Sequence, residues 1–277
     1  VESRGLGDVY KRQILDYIFI FPMQMGMFGA VFATGLSPII SMIIMSLHWL
    51  RKRSSFRFTK TKLCWNIIRQ DISLGFPSLI AQVASGLAMI IFNMLILKSE
   101  GNIGVAAYGV IANISLVVIG IYTGISQGMQ PLISTSYGHN DKKSIRLGFR
   151  CSMAAMLFIS CIIYFVIFMF ADSITGIFNS ENNLRLQAIS VTGLKLYFSS
   201  VVFAGFNTII SVFFTSIEKP VPAHILSLLR GIILLVPMAF LLSSLWGMTG
   251  IWLTYPITEG IVAMLGYWVY YSRVPKR

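Results

Sequence analysis

Two ionisable residues lie inside long apolar stretches of the sequence, and they are the first candidates for chemistry. Glu259 lies near the middle of one stretch, and Lys195 lies nearer one end of another. A charge at the centre of a membrane helix costs about 2.5–3.5 kcal/mol on insertion scales, so such residues are usually retained for a function. Glu259 could bind a proton or a cation, balance a cationic solute, or hydrogen-bond to a neighbouring helix. Lys195 could extend to the membrane interface or pair with Glu259.

Polar side chains within three of these stretches recur every three or four residues, so in each predicted helix they share one face. A surface that contacts lipid would not carry polar groups in this way. Hydrogen bonds that join the helices are one explanation for any single residue, but faces rich in Met, Phe and amides favour a substrate and ion cavity. With Glu259 added from a further stretch, the candidate cavity residues are Gln82, Met89, Asn93, Asn113, Gln127, Lys195, Asn207 and Glu259.

One short motif is compatible with an enzyme. Residues 124–128 (GISQG) fit the G-x-S-x-G of serine hydrolases, whose serine lies on a sharp turn between a strand and a helix. Here the motif lies in an apolar stretch with no evident His or carboxylate partner, because His48, His139 and His224 lie near the ends of stretches. The three cysteines show no metal-ligand spacing. We therefore predict no enzymatic activity, no metal site and no cofactor.

The composition excludes a water-soluble domain. Hydrophobic residues make up 56 % of the chain and charged residues only 12 %, with a mean hydropathy of +0.75, whereas soluble domains carry about 25 % charged residues. Seven stretches approach or exceed the roughly 20 residues needed to cross a bilayer. The predicted spans are residues 24–50, 72–97, 104–136, 147–171, 186–215, 222–244 and 247–272. The fold class is therefore all-α, a polytopic membrane helical bundle of about seven transmembrane helices.

The distribution of basic residues predicts the orientation of these spans. Six Lys and Arg lie between residues 51 and 62 in the loop after the first span, three lie after the third span and three in the C-terminal tail, whereas the intervening loops carry few. By the positive-inside rule these three segments are cytoplasmic, as is the C-terminus. The net charge of +12 thus reflects topology, and the predicted partner is the lipid bilayer and not nucleic acid.

An internal repeat suggests a larger architecture. Residues 26–29 (GMFG) match residues 247–250 (GMTG), and each copy opens a span that runs in the same direction. Parallel repeats of this kind occur in secondary transporters, so twelve helices are expected in all. The predicted division is a non-native scar at 1–13, a remnant of the N-terminal lobe at 14–50, a basic cytoplasmic inter-lobe loop at 51–71, a C-terminal six-helix lobe at 72–272 and a cytoplasmic tail at 273–277.

Several motifs resemble the multidrug and toxic compound extrusion (MATE) family, in particular its bacterial MepA-like subgroup. Residues 15–21 (LDYIFIF) are similar to the family's LDPLFIF with Tyr17 in place of Pro, and residues 75–78 (GFPS) are similar to the start of its seventh helix. The resemblance covers residues 14–272. The family's G-x-x-Q-G-x-x-P stretch and following Y-G are matched by Gly124, Gln127, Gly128, Pro131, Tyr137 and Gly138.

The resemblance implies two six-helix lobes around a cavity that opens alternately to either side of the cytoplasmic (inner) membrane. It implies a secondary antiporter that exports organic cations in exchange for Na⁺ or H⁺, monomeric when full length. The family's best-known coupling carboxylate lies on a first helix that this chain does not contain, so the coupling ion stays open. A lipid-linked oligosaccharide flippase is the first alternative, and an intramembrane enzyme is a second, less favoured one. Several cavity Lys and Arg are expected of a flippase, and here only Lys195 is available.

Overall fold

The computed structural model describes residues 65–179 and 181–273, together with part of the preceding segment. In that segment it describes residues 14, 15, 17–26, 28, 29, 32, 33, 35, 36, 39, 40, 42, 43 and 46. The chain divides into two compact units, Val1–Leu63 and Cys64–Arg277. The predicted scar at 1–13 lies outside the described residues, as do residues 51–64 of the predicted basic loop and residues 274–277 of the predicted tail.

In the first unit the described residues form two helical segments. Residues 17–20 are helical, residues 21–23 form a turn, and the described residues between 26 and 46 are helical again. Gly26 has a φ of 52°, in the left-handed region that suits glycine. A side chain at Gly29 would lie 3.0 Å from the carbonyl oxygen of Phe19. The two segments therefore pass close to one another beside this turn.

The second unit is helical throughout, with no strand among its described residues. The sequence of elements is α1 (Trp65–Gly138), α2 (Lys142–Phe178), α3 (Leu184–Tyr197), a 3₁₀ turn (Phe198–Ser200), α4 (Val201–Ser216), α5 (Pro220–Leu228), a π turn (Leu229–Ile233) and α6 (Leu235–Arg273). This architecture confirms the predicted all-α class.

Four continuous helical stretches are long and apolar enough to cross a membrane, judged by length and composition. They are Asp71–Gly138, Lys142–Phe178, Leu184–Ser216 and Pro220–Ser272. Gly101 (φ 64°, ψ −155°) interrupts the first of them, and Gly247 (φ 54°, ψ −130°) interrupts the last. The four stretches therefore comprise six helical segments, which correspond to the six spans predicted between residues 72 and 272.

Both interruptions use a pair of glycines spaced three residues apart. The first glycine of each pair, Gly101 or Gly247, has a positive φ. Three residues later, a Cβ on Gly104 would lie 2.8 Å from Cγ2 of Ile96, and one on Gly250 would overlap the carbonyl oxygen of Leu242. The first glycine thus reverses the chain and the second lets the returning helix pack closely. The Gly101 copy was not predicted, because it shares only its two glycines with the GMxG motif.

Aromatic clusters hold the second unit together. Near the Gly101 turn, the ring of Phe92 stacks on Tyr108 at a centroid distance of 5.6 Å, and Tyr108 contacts Trp252 of α6 at 6.2 Å. Elsewhere, Phe149 of α2 packs on Phe213 of α4 at 4.5 Å and on Tyr270 of α6 at 4.8 Å. Burial of such rings supplies much of the packing energy of a helical bundle.

The glycines at Gly120, Gly124 and Gly128 recur every four residues along the second segment of α1. Their four-residue spacing predicts the close approach of a neighbouring helix. In the unit from Cys64 onward, a Cβ built at each of these positions meets nothing within 4 Å. Within this unit the helices pack against the opposite side of α1, where Tyr122, Ser126 and other residues are buried.

A carboxylate cap begins α2. The side chain of Asp141 accepts hydrogen bonds from the hydroxyl of Ser144 at 2.6 Å and from the backbone N–H groups of Lys143 and Ser144 at 3.1 and 3.2 Å. The hydrogen bond from the Ser144 hydroxyl, followed by those from the backbone, lowers the pKa of the Asp141 carboxyl. Because the pKa of this carboxyl is lowered in the folded form, the cap stabilises that form at pH values above the ordinary pKa of Asp, about 4. The stabilisation is lost as the pH falls from there through the lowered pKa.

We therefore expect hydrogen exchange of the Lys143 and Ser144 amides, corrected for intrinsic exchange, to accelerate as the pH falls below about 4. An Asp141→Asn variant should keep the cap, since Asn caps helices as well as Asp does, and should show no such pH dependence. Asp141→Ala should exchange faster at every pH. Loss of protection in Asp141→Asn at the same pH as in the unmodified chain would contradict this assignment.

Candidate functional site

Glu259 is the centre of a buried polar cluster that joins three helical elements. Its side chain is 1 % exposed. Arg230 donates to Oε1 through Nη2 at 2.9 Å and Nε at 3.1 Å. Asn207 donates through Nδ2 to Oε2 at 2.6 Å and to the backbone carbonyl of Glu259 at 2.9 Å. Both carboxylate oxygens are thus bound by side-chain donors, and the bonds from Arg230 are of the strong, charge-assisted kind.

The π turn places Arg230 beside Glu259. The N–H of Leu234 donates to the carbonyl of Leu229, five residues earlier, at 3.0 Å. Pro237 lacks an N–H and its ring would clash with the carbonyl four residues before it, and a widened turn at that point relieves the clash. Gly231, in the same turn, lies against Ala84 of α1 with no room for a Cβ. The turn is therefore fixed by Pro237 on one side and by α1 on the other.

Aromatic and hydroxyl groups surround the ion pair. Nη1 of Arg230 lies 3.4 Å from Oγ1 of Thr208, and the hydroxyl of Tyr255 lies close enough to interact with Arg230 and Glu259. The Tyr255 ring stacks on Tyr197 at 4.7 Å and 6°. These groups border a cavity of about 20 Å³, also lined by Ser115, Tyr122 and Ser200, which can hold about one water molecule. The cavity is polar but too small for an organic solute.

Lys195 does not belong to this cluster. Its Nζ lies over the ring of Phe168 on α2, 5.1 Å from the centroid, a cation–π contact worth about 0.5–2 kcal/mol. The suggested pairing of Lys195 with Glu259 is wrong, since the carboxylate is bound by Arg230 and Asn207. The reason is distance along the chain, because Asn207 lies twelve residues beyond Lys195, or about 18 Å of helix.

The remaining candidate cavity residues lie on α1, away from the ion pair. Gln82, Met89, Asn113 and Gln127 are exposed, and Asn93 is half-buried. Asn113 donates to the carbonyl of Gly109 within its own helix at 2.8 Å. The structure therefore brings together two of the eight candidates, Asn207 and Glu259, and leaves Gln82 and Met89 exposed on the first segment of α1 and Asn113 and Gln127 exposed on the second. The assignment of these residues to a cavity remains a prediction.

Arg230 is not among the residues that the sequence analysis selected, although it binds Glu259 directly. It lies eight residues into an apolar stretch that starts at residue 222. Charges at such depth usually pair with one another, and Glu259 was the acid available in the following stretch. The signal was therefore present, but Lys195 offered an equally plausible partner.

Comparison with known proteins gives the family. The MatE family model matches residues 77–241. The multidrug export protein MepA of Staphylococcus saprophyticus is 23 % identical over 268 residues, which is 96 % of this chain and 58 % of that protein. MepA of Staphylococcus haemolyticus is 24 % identical over 261 residues, 94 % of this chain and 57 % of the relative. The chain thus spans less than two thirds of the curated relatives that it matches.

Solved structures show the same fold. An outward-facing multidrug resistance MATE family transporter of the MOP superfamily superimposes with a TM-score of 0.87 at 20 % identity, over 96 % of this chain and 60 % of that one. A MOP superfamily transporter from Pyrococcus furiosus, whose binding pocket is described as having reverse polarity that suggests a different function, gives a TM-score of 0.86 at 20 % identity over the same shares.

The family model matches residues 77–241, and the MepA relatives and the solved structures match 94–96 % of the chain. The predicted multi-pass membrane class and the prediction that the chain is not an enzyme are both confirmed by this family membership. The chain belongs to the MATE family of membrane transporters and corresponds to the C-terminal half of its MepA-like members.

Proposed function

We propose that this chain supplies the C-terminal six-helix lobe of a secondary antiporter that exports organic cations across the cytoplasmic membrane in exchange for Na⁺ or H⁺. The observation that carries the proposal is the match to multidrug export proteins over 96 % of the chain. The six helical segments between residues 65 and 273 supply one such lobe. The C-terminus would be cytoplasmic, as the basic loops indicate.

In this proposal the exposed polar residues of both α1 segments, before and after Gly101, line the solute cavity. They supply amides and a thioether at Gln82, Met89, Asn113 and Gln127 and no charge at these positions. Such a surface can hold the apolar body of an organic cation without pairing strongly with its charge, which favours release on the other side. Met side chains suit varied ligands because they are flexible and polarisable.

The Arg230–Glu259–Asn207 cluster has a structural role in this proposal. A proton or Na⁺ at Glu259 would have to displace the Arg230 guanidinium at 2.9 Å or the Asn207 amide at 2.6 Å. Removing one partner of a buried ion pair is strongly unfavourable. The coupling ion therefore binds elsewhere, and coupling arises if ion and solute stabilise opposite-facing conformations.

The flippase alternative is disfavoured by the partners of the basic residues. A site for a lipid-linked pyrophosphate needs several cations that are available to the ligand. Of the basic residues near the buried cluster and the cavity candidates, Arg230 is paired with Glu259 and Lys195 lies against Phe168, whereas the exposed Lys143 and Arg150 lie in the first turns of α2. Neither Arg230 nor Lys195 is thus an available cation beside the exposed polar residues of α1.

The proposal predicts drug export by the complete coding sequence that contains this chain, expressed in a drug-sensitive bacterium. Cells should accumulate less of a fluorescent organic cation, and collapse of the Na⁺ or the proton gradient should abolish the difference. Met89→Lys, which places a positive charge among the exposed residues of α1, should reduce export several-fold, whereas Met89→Leu should not. Both variants are to be compared at equal protein level in the membrane.

Unchanged accumulation in the expressing cells, together with a build-up of lipid-linked sugar when the gene is deleted, would overturn the exporter proposal in favour of the flippase.

A further inference from the structure

A groove of about 420 Å³ lies between the C-terminal part of α1 and the first turns of α2. Its lining includes small residues, Gly128 on α1 and Gly148, Ser152 and Ala155 on α2, together with larger apolar residues such as Leu132. A Cβ on Gly128 would meet nothing within 4 Å. The volume is within the range of about 300–1,000 Å³ that is typical of ligand pockets, and the lining is mostly apolar.

Basic residues are concentrated at one end of this groove. Between Glu100 and Asp172 the chain contains four basic residues and one acid. The acid is Asp141, whose carboxylate already caps α2. The local formal charge is therefore +4 − 1 = +3. The basic residues, all exposed, are Lys142, Lys143, Arg146 and Arg150.

These basic residues lie in the first turns of α2, where long side chains can reach the lipid headgroups. Lys142 begins α2, directly after the loop, and Arg150 lies eight residues further along, about 12 Å on the helix axis. Long basic side chains at such positions keep their stems along apolar surface and extend the charge toward the interface. A phosphate beside the α2 N-terminus would also be stabilised by the helix dipole.

We propose that this groove binds an anionic phospholipid of the adjacent leaflet, with one acyl chain along Gly128, Gly148 and Ala155 and the phosphate beside Lys143 and Arg150. Basic pockets between transmembrane helices on the cytoplasmic side are known to suit anionic headgroups. The proposal explains why Gly128 of the family motif faces open space, since a larger side chain there would narrow the groove.

Another helix is a less suitable occupant. Small residues along a membrane helix can admit a partner helix, and a second copy of this chain would be the simplest one. Such a dimer would bring the basic turns of the two α2 helices together, and like charges in close proximity cost free energy. An anionic lipid neutralises the same charge.

The test reconstitutes the product of the complete coding sequence that contains this chain in vesicles of phosphatidylcholine and the anionic lipid phosphatidylglycerol. The protein is extracted in mild detergent, and the retained phosphatidylglycerol is measured by native mass spectrometry. Arg150→Gln and Lys143→Gln should each lower the amount of retained phosphatidylglycerol at least about threefold, because each removes one basic residue that attracts the anionic headgroup. Ala155→Phe, which fills the groove, should lower it as much. Lys219→Gln, which removes an exposed lysine from the α4–α5 connection, is the matched control and should retain the lipid.

Thermal unfolding in pure phosphatidylcholine shows whether each variant is folded, and Ser152→Leu serves as a second groove-filling variant should Ala155→Phe fail to fold. Equal retention by the unmodified chain and by Arg150→Gln would overturn the proposal. Normal lipid retention by both groove-filling variants would also overturn the proposal, since the basic residues would then bind the lipid without the groove. A dimer that is abolished by the groove-filling variants would identify a second copy as the occupant instead.

Discussion

Replacement of Glu259 by Leu should lower the free energy of unfolding by about 3–5 kcal/mol, because it leaves the Arg230 guanidinium buried without its partner. Arg230 loses the bonds of 2.9 and 3.1 Å to Oε1, and Asn207 loses its bond of 2.6 Å to Oε2. The measurement is equilibrium unfolding of the purified chain in mixed micelles, followed by circular dichroism.

The matched control is the double variant Arg230→Met/Glu259→Leu, which removes both charges and keeps similar volumes. Replacement of a complete buried ion pair by apolar residues is often neutral or stabilising, so the double variant should recover most of the stability lost in Glu259→Leu. A double variant that is destabilised by the sum of the two single changes would show that the residues do not act as a pair.

A Gly250→Leu substitution should destabilise the chain by about 3 kcal/mol or prevent its folding, at the upper end of the range for overpacked sites. A Cβ at Gly250 would overlap the backbone carbonyl of Leu242, and backbone cannot rotate away as a flexible side chain can. The two helices on either side of Gly247 would have to separate. Thermal unfolding in detergent micelles is the measurement.

Gly260→Ala in the same helix is the control for Gly250→Leu. A Cβ there would lie 3.8 Å from the ring of Phe203, an ordinary van der Waals distance. Ala also has a higher helix propensity than Gly by about 0.8–1 kcal/mol. We therefore expect Gly260→Ala to be neutral or slightly stabilising, and equal damage from both substitutions would contradict the close approach at Gly250.

The helical segments could be predicted from sequence because hydropathy and loop charge depend on local composition. The segments on either side of Gly101 and Gly247 agree with the predicted spans to within a few residues at most ends. The extensions differ more: α2 runs from Lys142 to Phe178, beyond the predicted 147–171. Helices can continue past the apolar stretch into water, and hydropathy does not record where their hydrogen bonding ends.

The pairing of charges could not be predicted, because it depends on relations between helices. Lys195 and Arg230 were both available to Glu259 in the sequence. Choosing between them requires the level of each residue in the bundle, which is set by the π turn at Leu229–Ile233 and the reversal at Gly247. The periodicity of α4 did place Asn207 on a polar face, and that residue does contact Glu259.

The spacing of glycines likewise predicts only some of the contacts between helices. Both GxxG pairs within the second unit have a local cause, a positive φ at Gly101 and at Gly247, so the motif itself is informative. The stripe at Gly120, Gly124 and Gly128 has the same residue type and no such φ, and in this unit it faces open space. Spacing alone does not say which glycine contacts another helix and which opens a cavity.

Gradient-driven transport tests the central claim most directly. The complete coding sequence that contains this chain is reconstituted in proteoliposomes, and uptake of a fluorescent organic cation is followed after a Na⁺ or a proton gradient is imposed. We predict uptake driven by one of the two gradients. In the folded Arg230→Met/Glu259→Leu variant we expect equal dependence on that gradient, because in the proposed mechanism the buried pair does not bind the coupling ion. Absence of uptake under either gradient in the unmodified protein would contradict the account.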